Sequence, residues 1–336
     1  MINFRNDYSD LCYKEILDYL AKFSDEINEG YGEDCHSKNA TNLIKSKLCD
    51  ENVDIYFIHG GTSANILGAS LGMLAQESII SAKTGHIEDQ EAGAIEALGI
   101  KIETIDTDNG KINRKKLEEK YKTFINEHHT IPRKVYISNT TEVGTLYRKK
   151  DLEEIYDFCK SHNLYLFIDG ARLAHGLASD ESDLKLSDLT SLCDVFYFGG
   201  TKNGLLFGEA LVIVNDDLKK NFRSLQKQKG AMLAKGFVTG LMFERLFSDD
   251  LYIKGAKKAY KMAKKLAQSI VDKGYELAFE FESNQVFVLV SDKDLEKWQD
   301  TAYLEIAGRR KDYNIVRLVT TYKTKSTEVS EFIERI

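Results

Sequence analysis

Several features that mark whole classes of protein are missing from this sequence. It has one proline, Pro132, in 336 residues, so no proline-rich linker divides it, and no internal repeat or low-complexity run is visible. No apolar stretch approaches the roughly 20 residues that span a bilayer. The opening Met1-Ile2-Asn3-Phe4-Arg5-Asn6-Asp7 lacks the apolar core of a signal peptide. These absences predict a cytoplasmic chain with no membrane partner. Five cysteines, Cys12, Cys35, Cys49, Cys159 and Cys193, form no C-x-x-C pair, so neither a zinc site nor a disulfide framework is signalled and free thiols are expected. The adjacent His128 and His129 point in different directions on either kind of element, so no metal role is assigned to them. Lys and Arg number 46 against 53 Asp and Glu, a net charge of −7. With no basic cluster interleaved with aromatics, nucleic acid is excluded as the expected partner, because phosphate neutralisation needs clustered cations. Small molecules remain. A hydrophobic share of 43% predicts a soluble globular protein with a large core in one or two subdomains.

What is present is an alternation of short apolar runs with amphipathic helices. Strands are expected at 53–58, 77–82, 101–105, 134–138, 164–168, 195–198 and 209–214. Between them lie helices near 64–74, 88–98, 113–128 and 152–161, preceded by helices at 10–27, capped by Ser9, and from Asn39 onward. That order specifies an α/β fold whose large domain has a mostly parallel sheet flanked by helices. Helices follow at 216–228, 234–247 and 252–273. After Gly274 the pattern changes to strands at 275–281, 286–290 and 315–320 mixed with helices near 292–300 and 326–336. The chain is therefore divided into a large domain, residues 1–247, and a smaller α+β C-terminal domain, residues 248–336.

The chemistry centres on residues 164–202. Leu164 to Ile168 is an unbroken apolar run, as in a parallel strand buried on both faces, and it stops at Asp169-Gly170. Val195 to Phe198 repeats the pattern and ends in Gly199-Gly200-Thr201-Lys202. An acid and a lysine thus arrive at carboxyl ends of strands, the edge where open α/β sheets bind ligands. Pyridoxal phosphate chemistry needs such a pair: an amine for the cofactor aldehyde and a carboxylate opposite the pyridine nitrogen. The turn His59-Gly60-Gly61-Thr62-Ser63, between a strand and a helix, offers close backbone approach, a helix N-terminus and two hydroxyls to a phosphate. His86 lies just past another strand end, where an imidazole could stack on an aromatic cofactor or move a proton. Asn139 to Gly144 is a polar loop at a further carboxyl edge.

With these residues in place, the chain resembles the threonine aldolase (β-eliminating lyase) family, within the fold type I pyridoxal phosphate enzymes related to aspartate aminotransferase. The resemblance runs nearly end to end. It is carried by Phe4-Arg5-Asn6-Asp7, Tyr31-Gly32-Glu33-Asp34, Gly60-Gly61-Thr62-Ser63-Ala64-Asn65, Thr84-Gly85-His86, Asp169-Gly170-Ala171-Arg172, Gly200-Thr201-Lys202-Asn203-Gly204 and Arg317-Leu318-Val319-Thr320. It implies a large domain with a seven-stranded type of sheet. It also implies pyridoxal 5'-phosphate as cofactor, with Lys202 as the Schiff-base lysine, Asp169 as pyridinium partner, and Gly61, Thr62 and Ser63 at the phosphate. His86 is implied on the ring and as proton acceptor. Arg172 is implied near the cofactor's phenolic oxygen or the substrate carboxylate, and Arg317 as the main carboxylate-binding arginine, a task that suits its planar fork. Asn6, Thr141 and Tyr31 complete the implied substrate contacts. A homodimer or homotetramer with shared sites is implied as well, to which Tyr31 and the cluster of Lys227, Lys229 and Lys235 would contribute.

The activity implied is cleavage of a β-hydroxy-α-amino acid, of the threonine or allo-threonine type, to glycine and an aldehyde. Two positions depart from better-known members. Thr141 stands where they have a histidine, and Asn6 where they have a serine. The alternative keeps fold and cofactor but changes the reaction to β-elimination, transamination or racemisation.

Overall fold

The computed structural model describes residues 1–336. Its centre is a seven-stranded sheet whose strands, in chain order, are β1 (Asp54–Ile58), β2 (Glu77–Ala82), β3 (Lys101–Ile105), β4 (Ile131–Ser138), β5 (Tyr165–Asp169), β6 (Val195–Gly199) and β7 (Glu209–Ile213). They lie side by side in the order β1-β7-β6-β5-β4-β2-β3. All are parallel except β7, which runs antiparallel to both neighbours. Residues of β6 and β7 are buried throughout, which is why these strands read as continuous apolar runs rather than alternating ones. The parallel strands all end at one edge. Because β7 is reversed, its first residue, Glu209, arrives at that same edge. The mostly parallel seven-stranded sheet flanked by helices expected from the sequence is therefore present.

At that edge two glycines let the chain close up. A Cβ on Gly170 would lie 1.7 Å from the Tyr197 carbonyl oxygen, and one on Gly199 would lie 2.2 Å from that of Ala171. The Gly199 N–H donates to the Gly170 carbonyl at 3.0 Å, so the turns carrying Asp169 and Lys202 touch through backbone that no side chain could enter.

Most elements lie where the apolar patterns put them, and the departures have local causes. The first helix is Lys14–Lys22, not 10–27: the Ser9 hydroxyl donates to Asn6 Oδ1 instead of capping, and the Tyr13 N–H donates to the Gly204 carbonyl. The second begins at Cys35, where Asp34 caps by accepting the Ser37 N–H at 2.7 Å; Asn39 turns outward to Glu244. The helix expected at 64–74 is Gly61–Ser70. That expected at 88–98 is reduced to His86–Asp89 and a single 3-10 turn, Glu96–Leu98, because Ala92 and Gly93 adopt positive φ. The 216–228 stretch breaks at Asn221, which is left-handed.

The C-terminal sheet has four antiparallel strands, ordered Glu305–Arg310, Tyr313–Val319, Gln285–Val290 and Glu276–Leu277. The strand Glu305–Arg310 was not expected: five of its six residues are exposed, so no apolar alternation marks it. Ile2–Asn3 also pairs here, in parallel with Ala302–Tyr303, and Ile2 and Phe4 join the core of this unit. The helix Leu251–Asp272 serves two cores. Tyr252, Ala256 and Tyr260 belong to the large one, and Met262, Leu266 and Ile270 to the small one.

Lys134, inside β4, is fully buried. Its Nζ donates to the carbonyls of Gly68, Ala69 and Leu71 at 2.6, 3.0 and 2.7 Å, capping the end of the Gly61–Ser70 helix, where carbonyls lack helical partners. Lys134→Met keeps the apolar stem and strips three buried acceptors of their donor. Urea unfolding should show a loss of about 2 to 3 kcal/mol.

Candidate active site

The site is a cleft of about 270 Å³ over the carboxyl ends of the strands. Six of the seven strands deliver part of its lining: Gly61, Thr62 and Asn65 after β1, His86 after β2, Ser138, Thr140 and Glu142 from β4 and its loop, Asp169 and Arg172 from β5, Thr201 and Lys202 after β6, and Glu209 at the start of β7.

Asp169 is buried and accepts four hydrogen bonds. Oδ1 takes the Tyr197 hydroxyl at 2.5 Å and the Ala171 N–H at 2.9 Å. Oδ2 takes the Tyr136 hydroxyl at 2.7 Å and the Asn65 amide at 3.0 Å. Burial alone would raise its pKa. The charge of His86 and these donors outweigh burial and hold the carboxyl below its usual range. The network continues outward: Asn65 Nδ2 also donates to Glu91 Oε1 at 2.7 Å, and His86 Nδ1 meets the same oxygen at 2.9 Å. Burial works to lower the His86 pKa, but the Glu91 hydrogen bond and the Asp169 charge raise it overall.

Lys202 sits on a short turn, Thr201–Asn203. Its pKa is lowered, first by burial and then by the nearby Arg172 cation, which makes the amine a better nucleophile near neutral pH. Beside it, Glu209 accepts from the Thr201 hydroxyl at 2.7 Å and the Gly200 N–H at 2.8 Å, and burial pushes its carboxyl up to about 7.

Arg172 is held by Asp7, with Nε to Oδ2 at 2.7 Å and Nη2 to Oδ1 at 3.0 Å, a two-pronged pair. Asn284 Nδ2 adds a third donor to Asp7 at 3.1 Å. Burial would raise the Asp7 pKa, but Arg172, with Lys202 and His175, holds it well below its usual value.

Other sequence candidates lie elsewhere. Thr141 is buried and turned away from the cleft, its hydroxyl 2.8 Å from that of Thr145; its neighbours Thr140 and Glu142 line the cleft instead. Asn6 is buried, its Oδ1 occupied by the Tyr8 N–H and the Ser9 hydroxyl. The Ser63 hydroxyl pairs with His59 Nε2 at 2.8 Å. Arg317 lies close enough to Arg172 and Asp7 to feel both charges, but its Nη2 pairs at 2.5 Å with Glu305, directly opposite it across the strands. Tyr31 is exposed in a separate depression shared with Gly32 and Arg223, with the Lys227 amine 4.7 Å above its ring. Away from the cleft, the structure also gathers Glu26, Cys35 and His36, where His36 bridges Glu26 and Glu244.

The donor set fits pyridoxal phosphate. The first N–H groups of a ten-residue helix beginning at Gly61 are free to receive an anion, since its earliest internal backbone bond is Ala64 N–H to the Gly60 carbonyl. An ionised carboxylate and a lysine amine lie in the same cleft, and the buried Thr140 hydroxyl has no protein partner.

Comparison with known proteins agrees. The beta-eliminating lyase family model matches residues 14–293. A low specificity L-threonine aldolase of Pseudomonas aeruginosa is 31% identical over 314 residues, 91% of this chain and 90% of that protein. An alanine racemase of Cochliobolus carbonum is 27% identical over 69% of this chain and 61% of its own length. The solved structure of a threonine aldolase from Leishmania major has a TM-score of 0.98 and 41% identity, covering 99% of this chain and 98% of that one. Aspartate aminotransferase from Thermus thermophilus, at 11% identity and a TM-score of 0.75, covering all of this chain and 90% of its own, shares the fold.

Asp7→Asn should leave the Arg172 cation buried without its counter-charge and cost about 3 kcal/mol in urea unfolding at pH 7. The Asp7 pKa in the folded protein lies below its unfolded value of about 3.8. Its contribution is therefore complete above that value and is lost as the pH falls through the folded one. The gap between wild type and variant should narrow below pH ~4.

Proposed function

The chain belongs to the beta-eliminating lyase family, and we propose that it cleaves β-hydroxy-α-amino acids of the threonine or allo-threonine type to glycine and an aldehyde. The observation that carries this reading is a lysine amine of lowered pKa sharing one cleft with a carboxylate that four donors keep ionised. When bound, pyridoxal phosphate holds the substrate nitrogen covalently, and its protonated ring draws off the electron pair that bond cleavage leaves on Cα.

The protein's residues do the rest. Lys202 would be the amine that anchors the cofactor and yields to the substrate amine, and as a free amine it would be suited to carry protons. Asp169 would hold the ring nitrogen, and it keeps its charge because protonating it would weaken its bonds from Tyr136, Tyr197 and Asn65. The N–H groups at Gly61 and Thr62 take the phosphate. Arg172, already oriented by Asp7, presents its remaining N–H groups to a carboxylate or phenolate oxygen. For Arg317 to take the substrate carboxylate it must exchange Glu305 for it; its Nε is buried with no partner. His86 is fixed by Glu91, and its flat ring borders the cleft.

We further propose a homodimer or homotetramer, supported by Tyr31 and Lys227 lying exposed outside the chain's own cleft. No helix is long and apolar enough to cross a membrane, and five free cysteines support a cytoplasmic location.

Absorbance spectroscopy of the protein with pyridoxal phosphate tests the reading directly. A visible band is expected in wild type and absent in Lys202→Ala, together with a fall in glycine release from L-threonine of at least ~10³-fold. Keto-acid formation with an amino acceptor, or loss of optical activity from alanine without cleavage of threonine, would move the assignment to transamination or racemisation.

A further inference from the structure

Cleavage between Cα and Cβ requires a group that removes the proton of the β-hydroxyl. Most groups lining the cleft are less well placed to serve. Asp169 has both oxygens committed to four donors, and Glu209, though raised like Glu142, has a protein donor on each oxygen, the Thr201 hydroxyl and the Gly200 N–H, so neither oxygen is left wholly to a substrate. Arg172 is a cation already paired with Asp7, and the Tyr197 hydroxyl is spent on Asp169. His86 holds its Nδ1 against Glu91; burial lowers its pKa, but that hydrogen bond and the Asp169 charge raise it overall, which disfavours the neutral ring that could accept.

Glu142 is different. Its Oε1 is fixed by two donors, the His86 backbone N–H at 3.0 Å and the Ser138 hydroxyl at 2.5 Å. No hydrogen bond from another residue reaches its Oε2, and Glu142 is one of the residues lining the cleft. Around the carboxyl stand His86, Asp169, Arg172, Tyr136 and Tyr147. Burial first, and then the Asp169 charge, raise its pKa against the pull of Ser138, and a carboxylate of raised pKa is a stronger base than an ordinary one.

Resting on the lyase reading above, we propose that Glu142 is the catalytic residue that takes the proton from the substrate's β-hydroxyl. The hydroxyl proton moves to Oε2 and the O–H electron pair becomes the second bond of the aldehyde carbonyl. The Cα–Cβ bond breaks with its pair left on Cα. The proton on Glu142 then passes to water, or returns to the substrate in the reverse reaction. Ser138 and the His86 backbone act as positioning groups, keeping Oε1 occupied so that Oε2 faces the substrate.

The test is Glu142→Gln in the cofactor-loaded protein, an isosteric change that keeps an acceptor for Ser138 and His86 and removes the base. Three quantities are read: the visible cofactor band, the dissociation constant for glycine from spectral titration, and kcat and KM for L-threonine. The proposal expects kcat to fall at least ~100-fold while the band, the glycine constant and KM stay within about twofold. Retention of kcat within about threefold overturns it, and so does loss of kcat together with the band and glycine binding, which would mark a structural role. A wild-type protein that shows the band and binds glycine but releases none from any β-hydroxy amino acid overturns the lyase reading and this proposal with it.

Discussion

The constraint on which the rest of the site depends is the burial of Asp169 as an anion. An isolated carboxylate taken out of water costs several kcal/mol and would ordinarily stay protonated. Here four donors come from separate places: Tyr136 on β4, Tyr197 on β6, Asn65 on the helix after β1, and the Ala171 N–H in its own turn. The strands either side of β5 must keep their register for the two tyrosines to reach the same group. The helix beginning at Gly61 is tied to that carboxylate through Asn65, so the helix N-terminus and the buried anion are set relative to each other by one hydrogen bond.

Around this anion the carboxyl groups of the cleft are pushed apart. Asp169 and Asp7 are held low by donors and cations, whereas Glu142 and Glu209 are raised by burial. Groups of one chemical type thereby acquire different tasks at one pH, the low pair as fixed charges and the raised pair as groups able to hold a proton. Lys202 is lowered by burial and by Arg172, so the cation that the Asp7 pair fixes in place favours the neutral form of the amine.

Much of this could be read before any coordinates. Strands buried on both faces appear as unbroken apolar runs, so their carboxyl ends, and with them Asp169, Lys202 and His86, stand out. The glycine-rich turn at Gly61 stands out for the same reason. What escaped were residues whose role depends on a partner far along the chain. Asp7 meets Arg172 across 165 positions, and Tyr136 and Tyr197 look like ordinary core aromatics until their hydroxyls reach Asp169. Glu91 was hidden inside what reads as a helix over 88–98; the helix instead ends at Asp89, and Glu91 lies just before the positive-φ residues Ala92 and Gly93. In the loop after β4 no period fixes which side chain turns inward. The family resemblance singled out Thr141, while the chain turns Thr140 and Glu142 to the cleft. The strand Glu305–Arg310, exposed and charged, carries no apolar signal at all.

The helix Leu251–Asp272 has a consequence for how the molecule comes apart. Its first half is packed into the large core and its second half into the core that also holds Ile2 and Phe4. Neither core can lose its packing without exposing half of a rod that the other still holds, and the N-terminal residues close the loop by leading from the small core to Asp7 in the cleft. Separate melting of the two units is thereby penalised from both ends of the chain. Heat or denaturant should meet one cooperative body in which the cleft, lying between the two attachments, keeps its shape until the whole structure gives way.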